Sequence, residues 1–126
     1  MVRKFRESIS GLITLKKLVY LISPSEINKN FYNSLDRVLS YGNVKFFQLR
    51  LKKIRKNNLL KVAKKIRKIT LKHKVKFIIN DHFNLVSKIR ADGCHMGQLD
   101  GSIKIAKRKL RNKILGITCH NSFVLA

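Results

Sequence analysis

The sequence predicts an α/β fold built on a parallel sheet. Short, largely apolar runs recur near 18–22, 44–49, 75–79, 92–96 and 114–118, and segments with helical spacing of apolar residues lie between them. No linker or low-complexity stretch interrupts the alternation. Five strands and four helices in succession imply right-handed crossovers, in an open doubly wound sheet or in part of a barrel. A chain of 126 residues is long enough for one domain around one core.

Residues 1–17 read as a basic N-terminal extension, expected to be a lead-in helix, ahead of a domain spanning 18–126. This start mixes Arg3, Lys4 and Arg6 with Ile9, Leu12 and Leu15. It lacks the unbroken apolar stretch and small-residue cleavage site of a secretory signal. The run at 18–22 is apolar throughout, as in a strand buried on both faces, and Ser23-Pro24-Ser25 ends it. Ile27, Phe31, Leu35, Val38 and Leu39 follow at helical spacing, with Gly42 at a C-cap position. After the second strand, Leu59, Val62, Ala63, Ile66, Ile69 and Thr70 form the apolar stripe of a helix whose lysines form a solvated face. The third strand stops at Asn80-Asp81. A short helix is expected over 82–88, then a fourth strand at 92–96, a basic helix over 102–111 and a fifth strand at 114–118.

Lys and Arg number 29 against six acids, for a formal charge of +23. Such an excess favours polyanionic partners. No RNA-recognition signature, zinc-finger spacing or aromatic-interleaved basic strand is present, so the charge points first to small polyanions and to no specific nucleic acid, with a general basic nucleic-acid-binding protein as the lesser alternative. No apolar run reaches 18 residues, so no membrane span is expected. Cys94 and Cys119 read as reduced thiols of a cytoplasmic protein. Each precedes a histidine, but neighbouring strand residues point to opposite faces, which argues against zinc.

Against that basic background, Asp81 and Asp100 each follow a strand, at the edge where parallel α/β proteins bind ligands. Either could be a turn residue or a helix cap. Gln48, Arg50 and Lys52 stand at intervals of two, so a continued extended backbone puts three donors on one face as an anion clamp. The competing reading is a strand end with solvated charges. Gly97 allows close backbone approach ahead of Gln98 and Asp100.

Five blocks, Tyr20-Leu-Ile-Ser-Pro24, Gln48-Leu-Arg-Leu-Lys52, Ile78-Ile-Asn-Asp81, Ala91-Asp-Gly-Cys-His-Met-Gly-Gln-Leu-Asp100 and Gly116-Ile-Thr-Cys-His120, stand in the order and spacing of a known family. Over roughly 18–122 the chain resembles the thiamine phosphate synthase/TenI superfamily. The resemblance implies an incomplete TIM (β/α)8 barrel of about five parallel strands and four helices, without the C-terminal three units. It implies a transferase that joins hydroxymethylpyrimidine diphosphate to thiazole phosphate and releases diphosphate. Gln48, Arg50, Lys52, Asn80 and Thr118 would then bind substrate, with Arg50, Lys52 and Thr118 catalytic. Asp81 and Asp100 would be the ligands of Mg2+. Thr118 falls where the family usually has serine. His95, Gln98 and His120 belong to the motifs without an assigned role.

The same resemblance marks what is missing: a lysine-bearing loop after the sixth strand and the phosphate loops after the seventh and eighth. A truncated product is therefore expected, inactive alone unless self-association or a partner chain completes the barrel. The alternatives are a noncatalytic pyrimidine-diphosphate-binding remnant and a relative of the TenI-type thiazole tautomerase. Retention of His-Met-Gly-Gln-Leu-Asp favours the synthase over the tautomerase.

Overall fold

The computed structural model describes residues 2–9, 12–98 and 100–120, with side chains over 17–98 and 103–120. One sheet organises it, in the order β1 (Val2–Ile9), β2 (Leu12–Ile22), β3 (Val44–Leu49), β4 (Lys76–Asn80), β5 (Gly93–Met96) and β6 (Ile114–Ile117). The last five strands are parallel and adjacent in sequence order. α1 (Phe31–Leu39), α2 (Lys56–Lys72) and α3 (Asp100–Lys109) make three of the crossovers.

Two expectations need correction. The basic lead-in is not a helix: it pairs antiparallel with β2, from Val2 opposite Val19 to Ile9 opposite Leu12. β2 thus runs through the boundary at residue 17, and its otherwise open edge has its backbone donors and acceptors occupied. The segment at 82–88 is not an α-helix but a single 3-10 turn, Phe83–Leu85, followed by further turns. Val86 N–H reaches back three residues to Phe83 O, and His82 gives no side-chain cap. Left-handed residues at Asp81 (φ 62°) and Arg90 (φ 53°) bound the segment, and the chain between them closes in 3-10 and single turns.

Strand parity decides what each face holds. Phe47, Leu49, Phe77, Ile79, Cys94 and Met96 point to the helix side and are buried there with Leu35 and Leu39 of α1 and Leu59, Ala63 and Ile66 of α2. The Phe47 and Phe77 rings stack at 6.4 Å between centroids. Complete burial of each contributes roughly 2–3 kcal/mol. Asp92 ties three strands together at their starts: its Oδ2 accepts Arg67 Nη1–H and Phe77 N–H, both at 2.8 Å, and its carbonyl accepts Ile114 N–H at 2.9 Å. Gly93 is needed beside it, because a Cβ there would lie 2.1 Å from Ile114 O.

Candidate functional site

The opposite, concave face of the sheet encloses a cavity of about 890 Å3. Its floor is apolar, from Leu18, Phe46, Ile78 and Ile114, with Tyr20 stacked on Phe46 at 5.5 Å. Its rim is polar and lies at the C-terminal ends of the strands. Gln48, Arg50, Lys52, Asn80, Asp81 and Thr118 all line it, so six of the seven residues singled out from the sequence meet in one place. The seventh, Asp100, opens α3 after the neighbouring strand β5, and its side chain lies outside the described residues.

Gln48 is 3% exposed, and its Nε2 donates to Tyr20 Oη at 2.9 Å, fixing the amide against the aromatic wall. Strand β3 ends at Leu49, yet Arg50 and Lys52 continue the parity of Gln48. The hydroxyl of Ser23 holds this bend by accepting Arg50 N–H at 2.9 Å, while Ser23 N–H donates to Gln48 O at 2.8 Å. At the end of β4, Asp81 adopts a left-handed backbone, φ 62°, which aspartate tolerates better than most residues. Its N–H donates to His95 O at 2.8 Å, and its Oδ2 accepts Asn80 Nδ2–H at 2.9 Å.

His95 sits level with Asn80 and Gly116 across the sheet. Its Nε2 lies 2.8 Å from Thr118 Oγ1. Burial holds its pKa below the ordinary histidine value; the Asp81 carboxylate opposes that shift and Arg50 adds to it. The ring fits only because residue 116 is glycine: a Cβ there would stand 2.6 Å from Nδ1. Cys94, one residue before and on the helix side, is no nucleophile. Burial, and secondarily the Asp81 charge, pushes its thiol up to about 12.

Tyr20, Ser23 and Gly116, which fall in the motif blocks without an assigned role, and Phe46, which falls in none, also support the site. Strand parity could have found Tyr20 and Phe46, whereas the close approach of Gly116 to His95 has no sequence signal. Gln98 and His120 also line the cavity.

Among the described residues no three His, Cys, Asp or Glu side chains converge as a metal cage. Asp81 offers hard oxygens at a rim that also carries Arg50 and Lys52. Mg2+ is commonly held by one or two carboxylates together with substrate phosphates, so this donor set fits a cation that arrives with a diphosphate.

The thiamine monophosphate synthase (TMP-TENI) profile matches residues 19–125. The chain belongs to that family. It is 56% identical over 112 residues to the thiamine-phosphate synthase of Pelagibacter ubique, covering 88% of this chain and 54% of the relative. Against the enzyme of that name from Erythrobacter litoralis, identity is 40% over 111 residues, with 86% and 52% covered. Among solved structures, thiamine phosphate pyrophosphorylase from Pyrococcus furiosus superposes with a TM-score of 0.69 at 25% identity, over 79% of this chain and 48% of that one. The chain spans about half the length of the relatives it matches. Among the described residues, five parallel strands and three α-helices form part of a TIM-like barrel.

Proposed function

We propose that this cavity binds the diphosphate ester of a hydroxymethylpyrimidine and promotes its transfer to thiazole phosphate, giving thiamine phosphate and free diphosphate. The observation that carries this reading is the convergence of Gln48, Arg50, Lys52, Asn80, Asp81 and Thr118 on one rim above an apolar, aromatic-walled floor. A flat heteroaromatic ring suits the floor, and its charged tail suits the rim.

In this reaction the bond from the exocyclic methylene carbon to the diphosphate oxygen breaks and its electron pair leaves with the diphosphate. The thiazole nitrogen lone pair then forms the new carbon–nitrogen bond. Departure of the leaving group requires stabilised negative charge more than it requires a base. Arg50 supplies a planar fork of donors and Lys52 a mobile point charge for the phosphoryl oxygens. Gln48, clamped by Tyr20, and Asn80, oriented by Asp81, are placed to fix the pyrimidine. Asp81, with Asp100 as the second ligand by resemblance, would hold Mg2+. When bound, that cation neutralises diphosphate charge. Thr118, directed by His95, offers its hydroxyl to the same space.

Calorimetric titration with hydroxymethylpyrimidine diphosphate in the presence of Mg2+ tests the binding step. Binding is expected, weakened roughly 10- to 100-fold by Arg50→Ala, as expected for loss of a charge-assisted hydrogen bond. Asp81→Asn should abolish the Mg2+ dependence. Absence of binding, or binding indifferent to both substitutions, overturns the proposal. Formation of thiamine phosphate when the second substrate is added tests the transfer step.

A further inference from the structure

The cavity uses the ends of the strands; their beginnings form a second, differently built margin. There Lys17 and Lys45 stand in β2 and β3, Lys74 precedes β4, Arg90 precedes β5, and Arg111 and Lys113 precede β6, all exposed. With neighbouring strands about 4.8 Å apart, five strands carry this row along an arc of about 19 Å. Two carboxylates lie near this margin and both are engaged outside the row, Asp92 by Arg67 at 2.8 Å with Lys76 at 3.9 Å, and Asp36 by His73 at 2.6 Å and Lys72 at 3.0 Å. Helix C-termini favour cations beside α2 and α3. They do not account for Lys17 and Lys45, which stand in strands, or for Arg90, which follows a 3-10 turn.

The backbone supplies an independent observation. Three of the turns leading into strands contain a left-handed residue: Gly42 (φ 81°), Lys74 (φ 56°) and Arg90 (φ 53°). Glycine or asparagine is the low-cost choice at such positions, and a long side chain there is sterically unfavourable. At two of the three, this chain places a cation instead. Both positions close a helical turn in the usual left-handed cap, with Val75 N–H bonded to Thr70 O at 2.8 Å and Ala91 N–H to Val86 O at 2.9 Å, so the unusual feature is the residue and not the backbone. Tyr41, 72% exposed, projects from the turn beside Gly42 on the same margin.

We propose that this margin docks single-stranded nucleic acid, with the cation row gripping backbone phosphates and Tyr41 stacking a base. A positive track joined to an exposed aromatic is the usual chemistry for binding single strands without sequence preference. An anionic membrane fits less well. The large apolar groups exposed here are Tyr41, Leu71 and Ile114, spread over three separate segments, and the apolar stripe of α2 is buried in the core rather than turned outward.

Fluorescence anisotropy of a labelled single-stranded oligonucleotide, titrated with the full chain across a salt series, tests this. Binding should appear at low salt, with log K falling linearly with log salt. Lys74→Asn combined with Arg90→Asn should flatten that slope by about 1.4, at roughly 0.7 for each phosphate contact. Because asparagine accepts the left-handed backbone, the melting temperature should hold or rise. Tyr41→Ala should weaken binding roughly ten-fold and leave the slope alone. Lys104→Asn with Lys107→Asn, exposed on α3, is the charge-matched control and should leave the slope unchanged. An equal loss in that control, no binding at the lowest salt, or tighter binding to phosphatidylserine vesicles than to the oligonucleotide would overturn the proposal.

Discussion

Replacing Gly116 with alanine isolates the device that holds His95. The new Cβ would stand 2.6 Å from His95 Nδ1 and 3.4 Å from Cγ, so the ring must turn or slide by close to 1 Å to restore ordinary contact. Its Nε2, 2.8 Å from Thr118 Oγ1, then leaves hydrogen-bonding range. The lost hydrogen bond costs about 0.5–1.5 kcal/mol. An off-rotamer imidazole adds a similar amount, for a total of roughly 1–3 kcal/mol. At about 4 °C per kcal/mol for a domain of this size, the melting temperature should fall by roughly 4–12 °C. Circular dichroism melts of a double-mutant cycle decide the matter. In a His95→Ala background there is no ring to displace, so Gly116→Ala should cost almost nothing. An equal cost in both backgrounds, or none in either, would refute the proposed packing of His95 on Gly116.

Removing the carboxylate of Asp92 should destabilise the fold more than an exposed ion pair would. Asp92→Ala frees Phe77 N–H and strips Arg67, whose buried Nε is already without a partner among the described residues. After discounting for the partial exposure of the pair, the expected loss is roughly 2–4 kcal/mol, read as a lower urea midpoint at unchanged m-value. The depressed pKa of His95 fixes a pH dependence. The folded state binds its proton less readily than the unfolded state, so the contribution of His95 to stability is complete above the ordinary value of 6.5. It is lost as pH falls from there towards the folded-state value. The difference in melting temperature between the wild type and His95→Asn should therefore shift against the wild type on acidification, and a difference independent of pH would contradict the buried placement.

The parallel core was legible because its signals are local and periodic. Apolar runs such as 75–79 and the stripe Leu59, Ala63, Ile66 and Thr70 carry their burial in their spacing. The rim trio was legible for the same reason, since intervals of two keep Gln48, Arg50 and Lys52 on one face. The hairpin was not. Arg3, Lys4, Arg6, Lys16 and Lys17 mask any two-residue rhythm, and what makes this stretch extended is the demand of β2 for a partner, which is a tertiary fact. The 3-10 turn was misread because Phe83, Leu85, Val86 and Ile89 are apolar at helical spacing, whereas the left-handed backbone at Asp81 and Arg90 that confines the segment has no such signature. The orientation of His95 depends on a missing methyl two residues before Thr118, on another strand, and no single-sequence pattern encodes that.

The hairpin has a consequence for how the arc can be extended. Since Val2–Ile9 hydrogen-bonds along the outer side of β2, a newcomer cannot join there without first peeling it away. While β1 stays in place the sheet's edges are β1 itself and Ile114–Ile117, so a strand that continues the parallel series adds at Ile114–Ile117. A ring that closes β2 onto such an added strand therefore begins with release of the hairpin, which makes this antiparallel ribbon a latch on the seam.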